Sequence, residues 1–275
     1  KPMTVGDRVG RLIGAEPDHV VMGETLSIKV YQALAAALAM QPDRRVILSD
    51  NGNFPSDLYI AQGLIDTLGK GHELRVVDPE DVEANITDEV AVTMITEVDY
   101  RTGRKHDMTA LTAKAHSVGA LTVWDLAHSA GATEVTLADA KADFAVGCTY
   151  KYLNGGPGAP AFIYVSPKHI NTLRPAMSGW LGHEAPFAFD LDYRPGAGIE
   201  RMRIGTPPIL ALSSLRAAMD VWDMTDIATV RAKSVELTDL FIAELEAKAP
   251  ALTLHTPRDS AIRGSQVSFR IHEGF

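Results

Sequence analysis

Short apolar runs alternate with amphipathic stretches over about the first 165 residues, and this alternation predicts the elements. Residues 19–22, 45–49, 73–77, 89–95, 121–124, 142–146 and 161–165 are short β-rich runs bounded by polar or turn residues, the pattern of strands. Residues 26–40, 55–68 and 108–118 read as helices. Strand and helix in turn predict an α/β fold: a mostly parallel sheet of the seven-stranded type with helices on both faces. From 174 to 205 the pattern dissolves into glycine, proline and aromatics, and so long an irregular segment is usually functional or an interface. Helices at 210–222 and 225–249 and strands at 252–254 and 265–271 follow. The expected division is a large domain over 1–222 and the truncated start of a smaller α+β domain over 223–275.

Composition narrows this picture. With 46% hydrophobic and 22% charged residues, the chain can bury one large core. A formal charge of −9 argues against a surface built for nucleic acid or anionic membrane. No apolar run approaches the roughly 18 residues of a membrane span. The lone Cys148 excludes an intramolecular disulfide and a cysteine-based zinc cluster, which suits a reducing cytoplasm. No signal peptide is visible, and the chain opens at Lys1 and stops just after a strand-like run, so it is expected to be cut from something longer.

Candidate chemistry gathers around Lys151. An apolar run from Asp143 leads to it, and Gly155, Gly156 and Gly158 follow. A surface loop lysine is the ordinary reading; a desolvated amine in this setting could instead act as nucleophile and base. Asp125 ends the run 121–124, where ligands of open α/β sheets collect, though it could equally cap a following helix. His128 reads as well as a core histidine as a cofactor contact. A Schiff-base lysine with an acid for a pyridinium nitrogen is the equipment of pyridoxal phosphate chemistry. Thr25-Leu26-Ser27 opens one helix, where a hydroxyl usually caps but could also mark an anion site; Asn53-Phe-Pro-Ser-Asp57 opens another, which capping by Ser56 or Asp57 explains. Phe54 could staple its helix or stack on a flat ring. No dinucleotide or P-loop fingerprint is present, and His106 and His116 lack metal-ligand spacing.

Taken in order, Asn53-Phe-Pro-Ser-Asp57, Asp125-Leu-Ala-His-Ser-Ala-Gly131, Thr149-Tyr-Lys-Tyr-Leu-Asn-Gly-Gly-Pro-Gly158, Gly179-Trp-Leu-Gly-His183 and Arg203-Ile-Gly-Thr-Pro-Pro-Ile209 resemble the kynureninases, a family of the fold-type I pyridoxal phosphate enzymes. The resemblance covers nearly the whole chain. It implies that Lys151 carries the cofactor as a Schiff base, Asp125 pairs with the ring nitrogen, and His128 lies near the ring hydroxyl. Phe54 would stack on the ring with Asp57 beside it. Leu26, Ser27 and Tyr150 would bind the phosphate region, with Thr96 nearby, and Trp180 and Thr206 would complete it from the partner of a homodimer. The implied reaction is hydrolysis of L-kynurenine to anthranilate and L-alanine, or of 3-hydroxykynurenine to 3-hydroxyanthranilate, in tryptophan catabolism. Lys151, Asp125 and Tyr150 would be its catalytic residues. The family's substrate-carboxylate arginine would lie past Phe275, and Gln266 and Thr206 stand where relatives carry His and, in some members, Asn.

Rival readings are a cysteine desulfurase, a small aminotransferase, or a non-catalytic α/β binding protein. A desulfurase needs a mobile cysteine downstream of the lysine, and Cys148 lies upstream.

Overall fold

The computed structural model describes residues 2–271. In chain order it contains α1 (Pro2–Leu12), β1 (Val20–Met22), α2 (Leu26–Met40), β2 (Val46–Asp50), α3 (Pro55–Leu68), β3 (Glu73–Val77), α4 (Val82–Asn85), β4 (Val90–Thr96), α5 (Met108–Ser117) and β5 (Leu121–Asp125). Then come β6 (Phe144–Gly147), β7 (Phe162–Val165), α6 (Ile209–Trp222), α7 (Ile227–Lys248), β8 (Leu252–Leu254) and β9 (Phe269–Ile271). Strands β1 to β7 form one seven-stranded sheet in the order β1-β7-β6-β5-β4-β2-β3. Strands β3, β2, β4, β5 and β6 are mutually parallel, and β7 runs antiparallel to β6 and to β1. A parallel return would need a crossover element. The chain between β6 and β7 holds only turns, so it comes back reversed.

Strands β2, β4, β5, β6 and β7 are buried at every position, which is why they read as continuous apolar runs. Their side chains feed two apolar clusters. One joins the sheet to α1, α5 and α6 through Val5, Val9, Leu111, Leu212 and Leu215. The other joins it to α2 and α3 through Leu34, Ala37, Ala61 and Leu64. Helix α2 is buried nearly all round, as its alanine-rich sequence suggests.

The sequence pattern misses α1. Its buried face is Val5, Gly6, Val9 and Gly10, and the two glycines break the apolar stripe. The glycines are there because the helix lies directly on β1: a Cβ on Gly6 would sit 2.2 Å from the Val20 carbonyl oxygen. Arg8 then ties α1 to Asp220 (2.8 Å) and Asp223 (2.7 Å) at the end of α6.

The irregular segment holds three short 3-10 turns, Trp180–Gly182, Pro186–Ala188 and Gly198–Met202. Gly179 packs so tightly on Ile204 that a Cβ would come within 2.2 Å of its carbonyl oxygen. Strands β8 and β9 pair antiparallel in a separate two-stranded sheet. Strand β9 is shorter than expected because residues 264–266 turn back to the large sheet. The Gly264 amide donates to Gly103 O (2.7 Å), and the Gln266 side-chain amide donates to the carbonyls of Asp99 (3.1 Å) and Tyr100 (2.6 Å).

Candidate active site

The parallel strands deliver their C-terminal ends to one edge of the sheet, where open α/β folds bind ligands. Asp125 is the last residue of β5 and Thr96 the last of β4, and the two are directly paired in register. Lys151 follows β6 in a turn that closes on itself: the Gly155 amide donates to Thr149 O (2.8 Å) and the Asn154 amide to Lys151 O (3.0 Å). Gly155 fits only as glycine, since a Cβ there would lie 2.8 Å from that of Ala159 and 3.0 Å from Thr149 O. The Thr149 hydroxyl donates to Pro160 O (2.7 Å), pinning this turn to the chain entering β7.

Lys151 Nζ donates to His128 Nε2 at 2.9 Å and stands 5.6 Å from the Tyr150 ring centroid. Burial, with Lys151 adding to it, pushes the His128 imidazole down to about 4, so it is neutral at pH 7. A neutral imidazole that accepts at Nε2 carries its proton at Nδ1. That Nδ1 is buried with no protein partner, a donor facing no acceptor.

Asp125, 2% exposed, accepts from the Ala127 amide (2.9 Å) and from the Thr96 hydroxyl (3.4 Å). No helix follows it, so it is not a helix cap. Burial pushes its carboxyl up to about 6, against the pull of the Ala127 amide, Lys151 and Thr96. Asp57 is equally buried; desolvation, then the nearby Asp125, hold it well above the usual carboxylate range, and its Oδ2 has no protein partner. Buried polar atoms without partners are uncommon and call for an explanation. A flat ring carrying a protonated nitrogen and an anionic oxygen supplies the charge that these carboxyls and the His128 donor lack, so the residues fit pyridoxal phosphate.

At the other end, the starts of α2 and α3 meet. The Ser27 and Ser56 hydroxyls are 3.2 Å apart. Neither Thr25 nor Phe54, the two N-cap residues, makes a side-chain cap. Capping therefore does not account for these hydroxyl residues, and two helix N-termini converge on a place suited to an anion. Leu26 packs against the apolar cluster beneath. Phe54 does not staple its helix into the core; it is 44% exposed and meets Tyr100 edge-on at 5.1 Å. Thr96, expected with the phosphate group of residues, has its hydroxyl on Asn53 and Asp125 and belongs to the carboxylate end.

Trp180 lines a different cavity from Lys151 within this chain. Trp180 meets Phe187 edge-on at 5.8 Å and lines a cavity of about 320 Å³ with His183, Phe189 and Tyr193. Lys151 and His128 instead open on a cavity of about 540 Å³ lined by Tyr152, Trp222 and Val230. The Gly179–Ile204 contact does place Trp180 and Thr206 on neighbouring strands of loop.

Two features escape the sequence. Asp50 at the end of β2 pairs with His106 (2.8 Å), both buried. The position of Asp50 at a strand end, like that of Asp125, was the available signal. Cys148 is buried and its thiol is pushed up to about 11 by burial, which makes it unreactive.

The model of the aminotransferase class-V family matches residues 6–275. A kynureninase of Pseudomonas fluorescens is 50% identical over 278 residues, covering 98% of this chain and 67% of its own length. A kynureninase of Burkholderia mallei (strain SAVP1) is 49% identical over 281 residues, covering 100% and 68%. The chain thus spans about two thirds of the length of these relatives. Among solved structures, the apo cysteine desulfurase of Thermococcus onnurineus NA1 superposes with a TM-score of 0.80 at 23% identity, covering 98% of this chain and 68% of that one, a likeness of fold alone. With the family model running through almost all its residues and half of them shared with bacterial kynureninases, the chain belongs to the class-V aminotransferase family and, within it, to the kynureninases.

Proposed function

We propose that the protein hydrolyses L-kynurenine, or its 3-hydroxy form, to anthranilate or 3-hydroxyanthranilate and L-alanine, with pyridoxal phosphate as cofactor. The observation that carries this reading is the Lys151–His128–Asp125 cluster at the strand ends of a chain half-identical to bacterial kynureninases. The bound cofactor supplies the electron sink for a carbanion at the substrate α-carbon.

The chain's own residues do the rest. Lys151 Nζ takes and returns protons, held in place by neutral His128 Nε2. Asp125 would hold the ring-nitrogen proton, steadied by the Ala127 amide and Thr96. His128 Nδ1 is free to donate to the ring oxygen. Burial, then Cys148, raise the Tyr150 phenol, so its Oη keeps a proton to give. Ser27, Ser56 and the first turns of α2 and α3 would hold the phosphate, with Phe54 against the ring face. Water adds to the substrate γ-carbonyl, and cleavage of the Cβ–Cγ bond releases anthranilate.

The same reading makes the protein a homodimer, with Trp180 and Thr206 reaching the partner's phosphate site. The place of Trp180 in a cavity separate from that of Lys151, and the packing of Gly179 on Ile204 between the two segments, support this. It also treats 1–222 as the cofactor domain and 223–275 as the start of the smaller one, supported by the separate β8–β9 sheet. A cytoplasmic location is part of it, supported by the unpaired Cys148 thiol; among the described residues no helix is long and apolar enough to cross a membrane.

The deciding experiment incubates the holoenzyme with kynurenine and with cysteine. Anthranilate fluorescence with equimolar alanine from the first, and no sulfide from the second, is the expected result. Sulfide release or transamination without anthranilate would sink the reading.

A further inference from the structure

Lys29 is fully buried, at 0% exposure, in the first turn of α2. This is an unfavourable place for a cation. The positive end of a helix dipole repels it, and burial strips its water. Burial lowers the Lys29 amine while the Glu24 carboxylate pulls it back up. Its described hydrogen bonds go to no residue of the reaction, so its burial needs another cause.

Its partners supply one. Lys29 Nζ donates to Glu24 Oε2 (2.5 Å) and to Gln32 Oε1 (2.9 Å). Gln32, also 0% exposed, donates through Nε2 to Met202 O (3.1 Å). Glu24 has φ +48°, a left-handed backbone that a glutamate adopts only when held there. It is held by Lys29 on its side chain and by the Ala161 amide on its carbonyl (3.0 Å). Glu24 directly precedes Thr25-Leu26-Ser27, so its conformation sets how α2 begins. Met202 ends the turn from which Arg203 to Thr206 emerge. Pro160, next to Ala161, accepts from the Thr149 hydroxyl, two residues before Lys151.

We propose that Lys29 is a positioning residue: with Glu24 and Gln32 it braces the start of α2 against the 198–206 segment and so fixes the phosphate end of the cofactor site. This rests on the reading that the starts of α2 and α3 hold the cofactor phosphate. One brace then serves two sites, the cradle of its own chain and the arm that carries Thr206 toward the partner.

The test compares pyridoxal phosphate with pyridoxal, which lacks the phosphate, by absorbance titration of full-length protein freed of cofactor. Lys29→Met is expected to weaken pyridoxal phosphate about tenfold while pyridoxal binding stays within about twofold. Parallel losses for both, or no loss in a folded variant, would overturn the proposal. If Lys29→Met does not fold, Gln32→Leu decides, because it leaves the Lys29–Glu24 pair intact while removing the link through Gln32 from Lys29 to Met202 O. A phosphate-selective loss of about threefold or more supports the brace, and unchanged affinity removes it. The double variant Ser27→Ala/Ser56→Ala separates the two levels. If it discriminates phosphate and the brace variants do not, only the brace fails; if it does not discriminate, the phosphate-site reading fails and takes the brace with it.

Discussion

Asp125 and Asp143 are both almost completely buried, at 2% and 1% exposure, at opposite ends of neighbouring strands. Asp125 lies at the C-terminal end of β5; Asp143 lies just before β6 begins. Burial alone pushes both carboxyls up, and they diverge because of their partners. Asp143 accepts from His169 Nε2 (2.7 Å), His116 Nε2 (2.8 Å), the Thr122 amide (2.9 Å) and the Thr122 hydroxyl (3.3 Å). These bonds outweigh its desolvation and hold it below the usual carboxylate range. Asp125 has one amide and one distant hydroxyl, and it stays at about 6. Saturated partners make a clasp. Missing partners leave a group poised for a ligand.

The strongest way to break this comparison is to remove the acid at each place. Asp125→Asn should lower kcat/KM for kynurenine by about 10²- to 10⁴-fold while the urea midpoint of the cofactor-free chain holds steady or rises. Asp143→Ala should do the reverse. It strands two histidines, costs about 3–5 kcal/mol of stability by urea unfolding, and leaves turnover per folded molecule within about twofold.

pH sharpens the contrast next. The lowered Asp143 contributes stability above its ordinary value of 3.8, which is lost as pH falls through its depressed value. The raised Asp125 opposes folding above about 6, and this penalty lifts as pH falls from there toward 3.8. Differences between wild type and each of the two variants, taken without cofactor, cancel the shared loss from His128 between 6.5 and about 4. The two difference curves should slope in opposite directions; equal slopes would erase the distinction. The smallest effect is expected at Phe54→Leu, which removes an aromatic edge contact and a stacking face. Cofactor affinity should fall about two- to tenfold by absorbance titration, with stability nearly unchanged.

Asp125 and Lys151 were legible because each follows an apolar run that becomes a strand, whereas His128 read equally well as a core histidine until the structure set it against Lys151 Nζ. The Asp143 clasp was not legible, because His116 comes from the last turn of α5 and His169 from the turn after β7, and neither carries a local signal. The reversal of β7 was also hidden: burial on both faces removes the alternation, and an apolar run has no direction. Helix α1 disappeared behind Gly6 and Gly10, whose purpose is visible only once β1 lies beneath them. Capping offered a sufficient account of Ser27 and Ser56 until the structure set their hydroxyls side by side.

The placement of β1 has a consequence for how the chain is made. It precedes β2 to β7 in the chain, yet among the described residues its sole neighbour in the sheet is β7, with Val20 opposite Tyr164. A chain emerging from the ribosome therefore holds α1 and β1 without a docking edge until Phe162–Val165 have followed. Contacts this distant in sequence form slowly. The glycine-faced helix and its strand can join the sheet only once β7, which follows all five parallel strands in the chain, is in place.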